Sequence, residues 1–167
     1  METRGATATD IPEIRRVARE ALDEAYDFFP KKEREATVRV RFGDERLESA
    51  MADDDVILVA AIADGELVGY AHVDAVNRAD AVGEAVLRGI YVAPNRWREG
   101  IGTALLDAVE DSIRERGFTQ LSVAVLAENE RGKRFLESNN FERIEERVED
   151  LFTGGTAPQL VYYHDFA

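Results

Sequence analysis

Two spacings of apolar residues divide the chain into elements. Ile14, Val17, Ala18, Ala21, Leu22 and Ala25 recur three and four apart, the spacing of one buried helix face. Asp10 stands before that run as an N-cap, with Pro12 early in the helix and Glu13 at the capping-box position. Residues 3–8 alternate as an edge strand does, and Phe28-Phe29-Pro30 ends the helix. Residues 31–42 carry conflicting signals, because 31–35 favours helix while 36–42 alternates like a strand. Asp44 caps a short helix through Leu47 and Met51. Residues 56–62 form a buried strand, Asp64-Gly65 a hairpin turn, and 67–76 the partner strand. A loop over 77–83 leads to a central strand, 84–92.

The next segment carries the chemistry. Ile90-Tyr91-Val92 runs into Ala93-Pro94, an arginine-rich loop, Gly100-Ile101-Gly102 and an amphipathic run from Thr103 to about Arg116. Gly117 is placed to be a left-handed C-cap. The first N–H groups of a helix lack internal partners and sit at the positive end of its dipole. Glycines let a ligand approach that backbone, so the segment reads as a phosphate cradle or as a tight strand-to-helix turn. A P-loop is the poorer match, because no Lys-Ser or Lys-Thr follows the glycines. A strand with Leu121, Val123 and Val125 comes next, then a helix from Asn129 through Phe135 and Leu136 to Asn140-Phe141. Residues 143–152 and 159–166 are two further strands, joined by a loop rich in glycine and threonine. The expectation is one domain over 1–167, α/β, with a mixed, mostly antiparallel sheet of six or seven strands and about four helices.

Two motifs make the chain similar to the GNAT superfamily of acetyl-CoA-dependent N-acyltransferases. WREGIG, Trp97 to Gly102, matches the pyrophosphate loop R/Q-x-x-G-x-G/A. NERGKRFLESNNF, Asn129 to Phe141, matches N-x-x-A-x-x-x-Y-E-x-x-G-F. The likeness is specific over residues 84–142 and looser elsewhere. The resemblance implies transfer of an acetyl group from acetyl-CoA to a primary amine of a small molecule or peptide. It implies a cofactor site at Ile90, Tyr91, Val92, Trp97, Arg98, Glu99, Gly100, Ile101, Gly102, Thr103 and Asn129. It also implies that the central strand splays from the strand at 121–126, freeing main chain for the pantetheine arm. N–H groups of Ile90 or Val92 would then polarise the thioester carbonyl.

The chain departs from the family pattern at three points. Trp97 replaces the usual Arg or Gln, flanked by Arg96 and Arg98; it reads as a helix cap or as a wall of the cofactor site. Asn140 replaces a glycine, a mild exchange because Asn tolerates the left-handed conformation. Leu136 replaces the tyrosine that gives a proton to departing coenzyme A, and leucine has none to give. Tyr91, Tyr162, Tyr163 and His164 remain as possible acids. For the base that takes the amine proton, Glu84 at the start of the central strand comes first and His72 on the neighbouring strand second. Tyr26, Phe28, Phe29, Asp80 and Tyr162 suggest a partly aromatic acceptor pocket. Leu136 also keeps open a second reading, an acyl-CoA-binding sensor or assembly subunit without catalysis.

Composition narrows the field. There is no cysteine, which excludes disulfides, a cysteine nucleophile and zinc–thiolate sites, and His72 and His164 are too few to suggest a metal centre. Asp and Glu total 34 against 21 Lys and Arg, a net charge of −13, and only Lys31, Lys32 and Lys133 are lysines. Such a surface repels nucleic acid and suits a salt-rich cytoplasm, so a halophilic source and no nucleic-acid partner are expected. No apolar run is long enough for a membrane span and the first residues lack an apolar signal core, so a cytoplasmic location is expected. The last strands offer an edge for a possible homodimer.

Overall fold

The computed structural model describes residues 1–166. In chain order the elements are β1 (Glu2–Gly5), α1 (Ile11–Ala25), α2 (Lys31–Arg41), α3 (Asp44–Ala52), β2 (Val56–Ala63), β3 (Glu66–Asp74), β4 (Glu84–Val92), α4 (Ile101–Glu115), β5 (Gln120–Leu126), α5 (Glu130–Ser138), β6 (Glu142–Asp150) and β7 (Thr156–Asp165), with short 3-10 turns at Ala8–Asp10 and Pro94–Arg96. The strands form one sheet in the order β1-β2-β3-β4-β5-β7-β6. Every pairing is antiparallel except β4 with β5. This is the α/β architecture expected, with five α-helices where about four were expected.

Each sheet face buries one apolar cluster. Ile14, Val17 and Leu22 of α1, with Val38, Phe42 and Leu47, pack against Leu58, Ala60 and Tyr70. On the opposite face Leu105, Val109 and Ile113 of α4, with Leu136 of α5, pack against Val68, Val73, Leu121 and Val123. The hairpin turn is as expected, with Asp64 at φ 54° and Gly65 at φ 76°, the twist that a two-residue hairpin needs. Gly117 and Asn140 are left-handed, at φ 89° and 70°.

Two local expectations change. Residues 31–41 are helical: the helix buries Ala36 and Val38 against α1 and leaves Val40 in solvent, where a strand would have put all three on one face. The first strand is shorter than residues 3–8. Asp10 caps α1 by position, but its carboxylate accepts hydrogen bonds from Arg4 at 2.8 and 3.0 Å and from the N–H of Thr7 at 2.8 Å. It clamps β1 to the start of α1, and the Arg4 bond holds its pKa below the ordinary value.

Candidate active site

The site is built around a break in the sheet. β4 and β5 pair only over Glu84↔Gln120, Ala85↔Leu121, Val86↔Ser122 and Leu87↔Val123. Beyond Leu87 the two strands part. On its other side β4 carries a bulge at the same place, because Val73 faces Leu87 while His72 faces Gly89 and Arg88 is the extra residue. A bulge bends its strand and shifts the alternation. Ala85 and Leu87 before it, and Ile90 and Val92 after it, therefore all pack on the α4 cluster, while Tyr91 packs on the α1 cluster. Gly89 lets the Tyr91 ring fold back along the strand: a Cβ there would lie 2.6 Å from that ring.

Below the open end of β4 begins α4. Gly100 is its N-cap, at φ 81°, and Arg98 two residues earlier is also left-handed, at φ 70°. These reversals aim the first N–H groups of α4 into a cavity of 310 Å³, lined by Ile90, Tyr91, Val92, Trp97, Arg98, Gly100 to Thr103, and Asn129. A Cβ on Gly100 would meet nothing within 4 Å, whereas one on Gly102 would meet the Phe135 ring at 3.0 Å. Gly100 thus serves the turn, and Gly102 the close approach of α4 to α5. Among the loop residues expected at this site, Glu99 alone does not line the cavity; it turns to Arg96, 3.4 Å away. Arg96 is also held by Asp64 at 2.9 Å, so two carboxylates occupy it. Arg98 and Arg131 line the cavity, and neither forms an ion pair among the described residues.

Trp97 fills both roles considered for it. Its indole N–H donates to the Val92 carbonyl at 2.8 Å, tying the loop to the end of β4, and the Arg131 guanidinium lies over its ring at 4.0 Å. Asn129 caps α5, its Oδ1 accepting from the N–H of Gly132 at 2.9 Å. That bond fixes the amide, so its Nδ2 donates to the Tyr26 hydroxyl at 3.0 Å. Tyr26 accepts there and keeps its own proton free for another partner. Burial raises its pKa, so it is a neutral phenol.

A slot of 150 Å³ runs through the break, lined by Tyr26, Gly89, Ile90, Asn129 and Leu136 among others. On the α1 side lies the largest of these cavities, 480 Å³, lined by Tyr70, Tyr91, His72, Asp74, Arg88 and residues of α2, α3, β5, β6 and β7. His72 Nε2 lies 3.1 Å from Asp74 Oδ1, and Arg88 donates to Asp74 Oδ2 at 2.6 Å. Burial lowers the His72 pKa against the pull of Asp74, leaving the imidazole neutral at neutral pH.

The two expected bases are thus far apart. His72 lines this cavity and pairs with Gly89, next to the break. Glu84 sits in the paired part of β4, 3.6 Å from Arg78, and lines neither cavity nor the slot. Six residues of extended chain put it about 20 Å from Ile90. Of the four possible acids only Tyr91 lines the slot through the break. Tyr162 bonds Glu137 at 3.2 Å and His164 bonds Glu110 at 2.9 Å on the α4 side, while Tyr163 lies opposite Ser122. None of the five residues expected to wall an acceptor pocket, Tyr26, Phe28, Phe29, Asp80 and Tyr162, lines the α1-side cavity, which is more cationic than aromatic. The sequence marks Tyr26 only as a pocket wall, because its link to Asn129 spans 103 positions and leaves no local signal.

The family model described as the acetyltransferase (GNAT) family matches residues 15–141. An aminoglycoside N(6')-acetyltransferase type 1 of Stenotrophomonas maltophilia is 37% identical over 83 residues, covering 47% of this chain and 54% of that protein. The chain thus spans about half the length of that curated relative. Among solved structures, the PaiA N-acetyltransferase of Thermoplasma acidophilum, in complex with coenzyme A, superposes with a TM-score of 0.83 at 22% identity, covering 99% of this chain and 98% of that one. The ribosomal-protein-S18-alanine N-acetyltransferase of Escherichia coli superposes with a TM-score of 0.74 at 20% identity, over 99% and 94%.

Proposed function

The chain belongs to the acetyltransferase (GNAT) family, and from that premise we propose that it transfers an acetyl group from acetyl-CoA to a primary amine. The observation that carries this reading is the parting of β4 from β5 directly beside the glycine-led start of α4. The residues fit the co-substrate: a cradle of N–H groups over residues 101–103, two arginines without carboxylate partners, and a strand edge with no neighbour beyond Leu87. Acetyl-CoA supplies the thioester to be attacked.

The chain supplies the rest. N–H groups at the free edge of β4 donate to the thioester carbonyl oxygen as it gains charge. His72, held by Asp74 and Arg88, takes the proton that the amine must lose, in place of Glu84. Tyr26 gives its phenolic proton to the departing sulfur, the task Leu136 cannot perform. Leu136 itself is 4% exposed and packs in the α4 cluster. Its presence is the observation that favours the alternative of a binding module; the proton left free on Tyr26 supports catalysis.

The test is calorimetry with acetyl-CoA, paired with a thiol-release screen of primary amines. Micromolar binding that is lost in Gly100→Val, with the variant still folded, supports the cradle. Binding without thiol release on any amine leaves the module reading standing. No binding by the native chain overturns both.

A further inference from the structure

The cavity on the α1 side is unusual for a chain of net charge −13. Four arginines line it: Arg41 from α2, Arg46 from α3, Arg88 from β4 and Arg147 from β6. Only two carboxylates, Asp74 and Glu149, stand among them. Both are engaged, Asp74 by Arg88 at 2.6 Å and Glu149 by Arg41 at 3.2 Å. Among the described residues Arg147 bonds only a neutral amide oxygen, Gln159 Oε1, at 2.9 Å. Arg46 forms no ion pair or hydrogen bond among the described residues. The cavity thus holds two arginines in excess over its carboxylates. A second observation also points to a ligand. Tyr70 lines the same cavity and is 1% exposed, and its hydroxyl has no hydrogen-bond partner among the described residues. A buried hydroxyl left unpaired costs free energy that a ligand oxygen would recover.

Resting on the acetyltransferase reading, we propose that the acceptor is a small primary amine that also carries an acid group, carboxylate or phosphate, and that Arg46, Arg147 and Tyr70 hold that group while the amine reaches His72. Guanidinium forks match the paired oxygens of either acid. A polycationic amine meets the opposite situation. The general acidity of the surface draws it to the molecule, but the cavity beside the break offers it arginines.

The test uses matched acceptors that differ only in the acid group: L-lysine against cadaverine, β-alanine against ethylamine, and O-phosphoethanolamine against ethanolamine. Thiol release from acetyl-CoA is followed, and acetyl-CoA affinity is measured on the same preparation. The acid-bearing member of at least one pair is expected to have a kcat/KM at least about tenfold higher, the worth of one charge-assisted contact. The lysine and phosphoethanolamine arms tell carboxylate from phosphate. In Arg46→Gln and Arg147→Gln the KM for the acid-bearing acceptor rises about tenfold, with kcat and the KM of its acid-free partner little changed. Equal or better turnover of the acid-free amines, with acetyl-CoA bound, overturns this inference and leaves the acetyltransferase reading intact. If no acceptor turns over, calorimetry of lysine and phosphoethanolamine on the protein saturated with coenzyme A decides, and failure of both to bind overturns it. Failure to bind acetyl-CoA defeats the acetyltransferase reading itself.

Discussion

At the scale of single residues, the two proposed proton carriers come from parts of the chain that only the fold brings together. Tyr26 closes α1, and Asn129 orients it from the start of α5. Tyr26→Phe keeps the ring and removes the proton. Its kcat should fall about a hundredfold, as losses of a general acid do, while acetyl-CoA affinity changes less than about twofold. An unchanged kcat would remove Tyr26 from the mechanism. His72 has the opposite requirement, because a base must be unprotonated. Burial holds its pKa below the ordinary value of about 6.5. kcat/KM should therefore hold steady through neutral pH and fall only as pH drops through that lowered value. His72→Gln should be slow at every pH and lack that limb, and Glu84→Gln should keep it. Retention of the limb in the His72 variant with its loss in the Glu84 variant would reverse the assignment. The partner of Tyr26 was not legible in the sequence, because a motif preserves spacing along the chain and this contact spans 103 positions, whereas Asp74 stands only two residues from His72 on the same strand.

Among the elements, those built on local backbone rules were legible. Asp64-Gly65, Gly100 and Gly117 mark turns and caps that a few adjacent residues determine. The bulge at Arg88 was not, because it depends on the partner strand β3 and leaves the apolar run of β4 unbroken. Helix α2 was ambiguous for a related reason: residues 31–35 favour helix while the apolar residues of 36–42 alternate like a strand, and packing on the α1 cluster chose the helix. This helix also carries a tether. Glu33, 3% exposed, accepts from the N–H groups of Phe152 and Thr153 at 3.0 Å each and from the Thr153 hydroxyl at 2.8 Å. Burial alone would raise its pKa, yet these donors hold it below the ordinary value. A depressed carboxylate adds stability above its unfolded value, about 4.3, and loses it as pH falls through the folded one. Glu33→Gln should thus cost about 2 kcal/mol at pH 7, the worth of charge-assisted bonds to a buried group. The gap to the native chain in urea melts should narrow below about pH 4. A gap independent of pH would show that packing, not charge, holds the β6–β7 loop.

For the molecule as a whole, net charge was legible from composition but its placement was not. The acidic surplus was consistent with an even coat, whereas the arginines of the α1-side cavity gather from α2, α3, β4 and β6. A net −13 repels itself, and salt screens that repulsion over about 10 Å at 0.1 M and 3 Å at 1 M. Melting temperature should therefore climb from dilute buffer to molar potassium chloride, by roughly 3 °C for each kcal/mol relieved at this size. A falling melting temperature would mean that the surface ion pairs outweigh the repulsion. The parting of β4 from β5 has one more consequence. Four residue pairs are all that stitch β1–β4 to β5–β7–β6 across the sheet. The fault line proposed to admit a thioester is thus also a seam that only four residue pairs close within the sheet. A ligand lodged there would bridge two rafts of strands that otherwise share this short ladder and the apolar cluster packed across it.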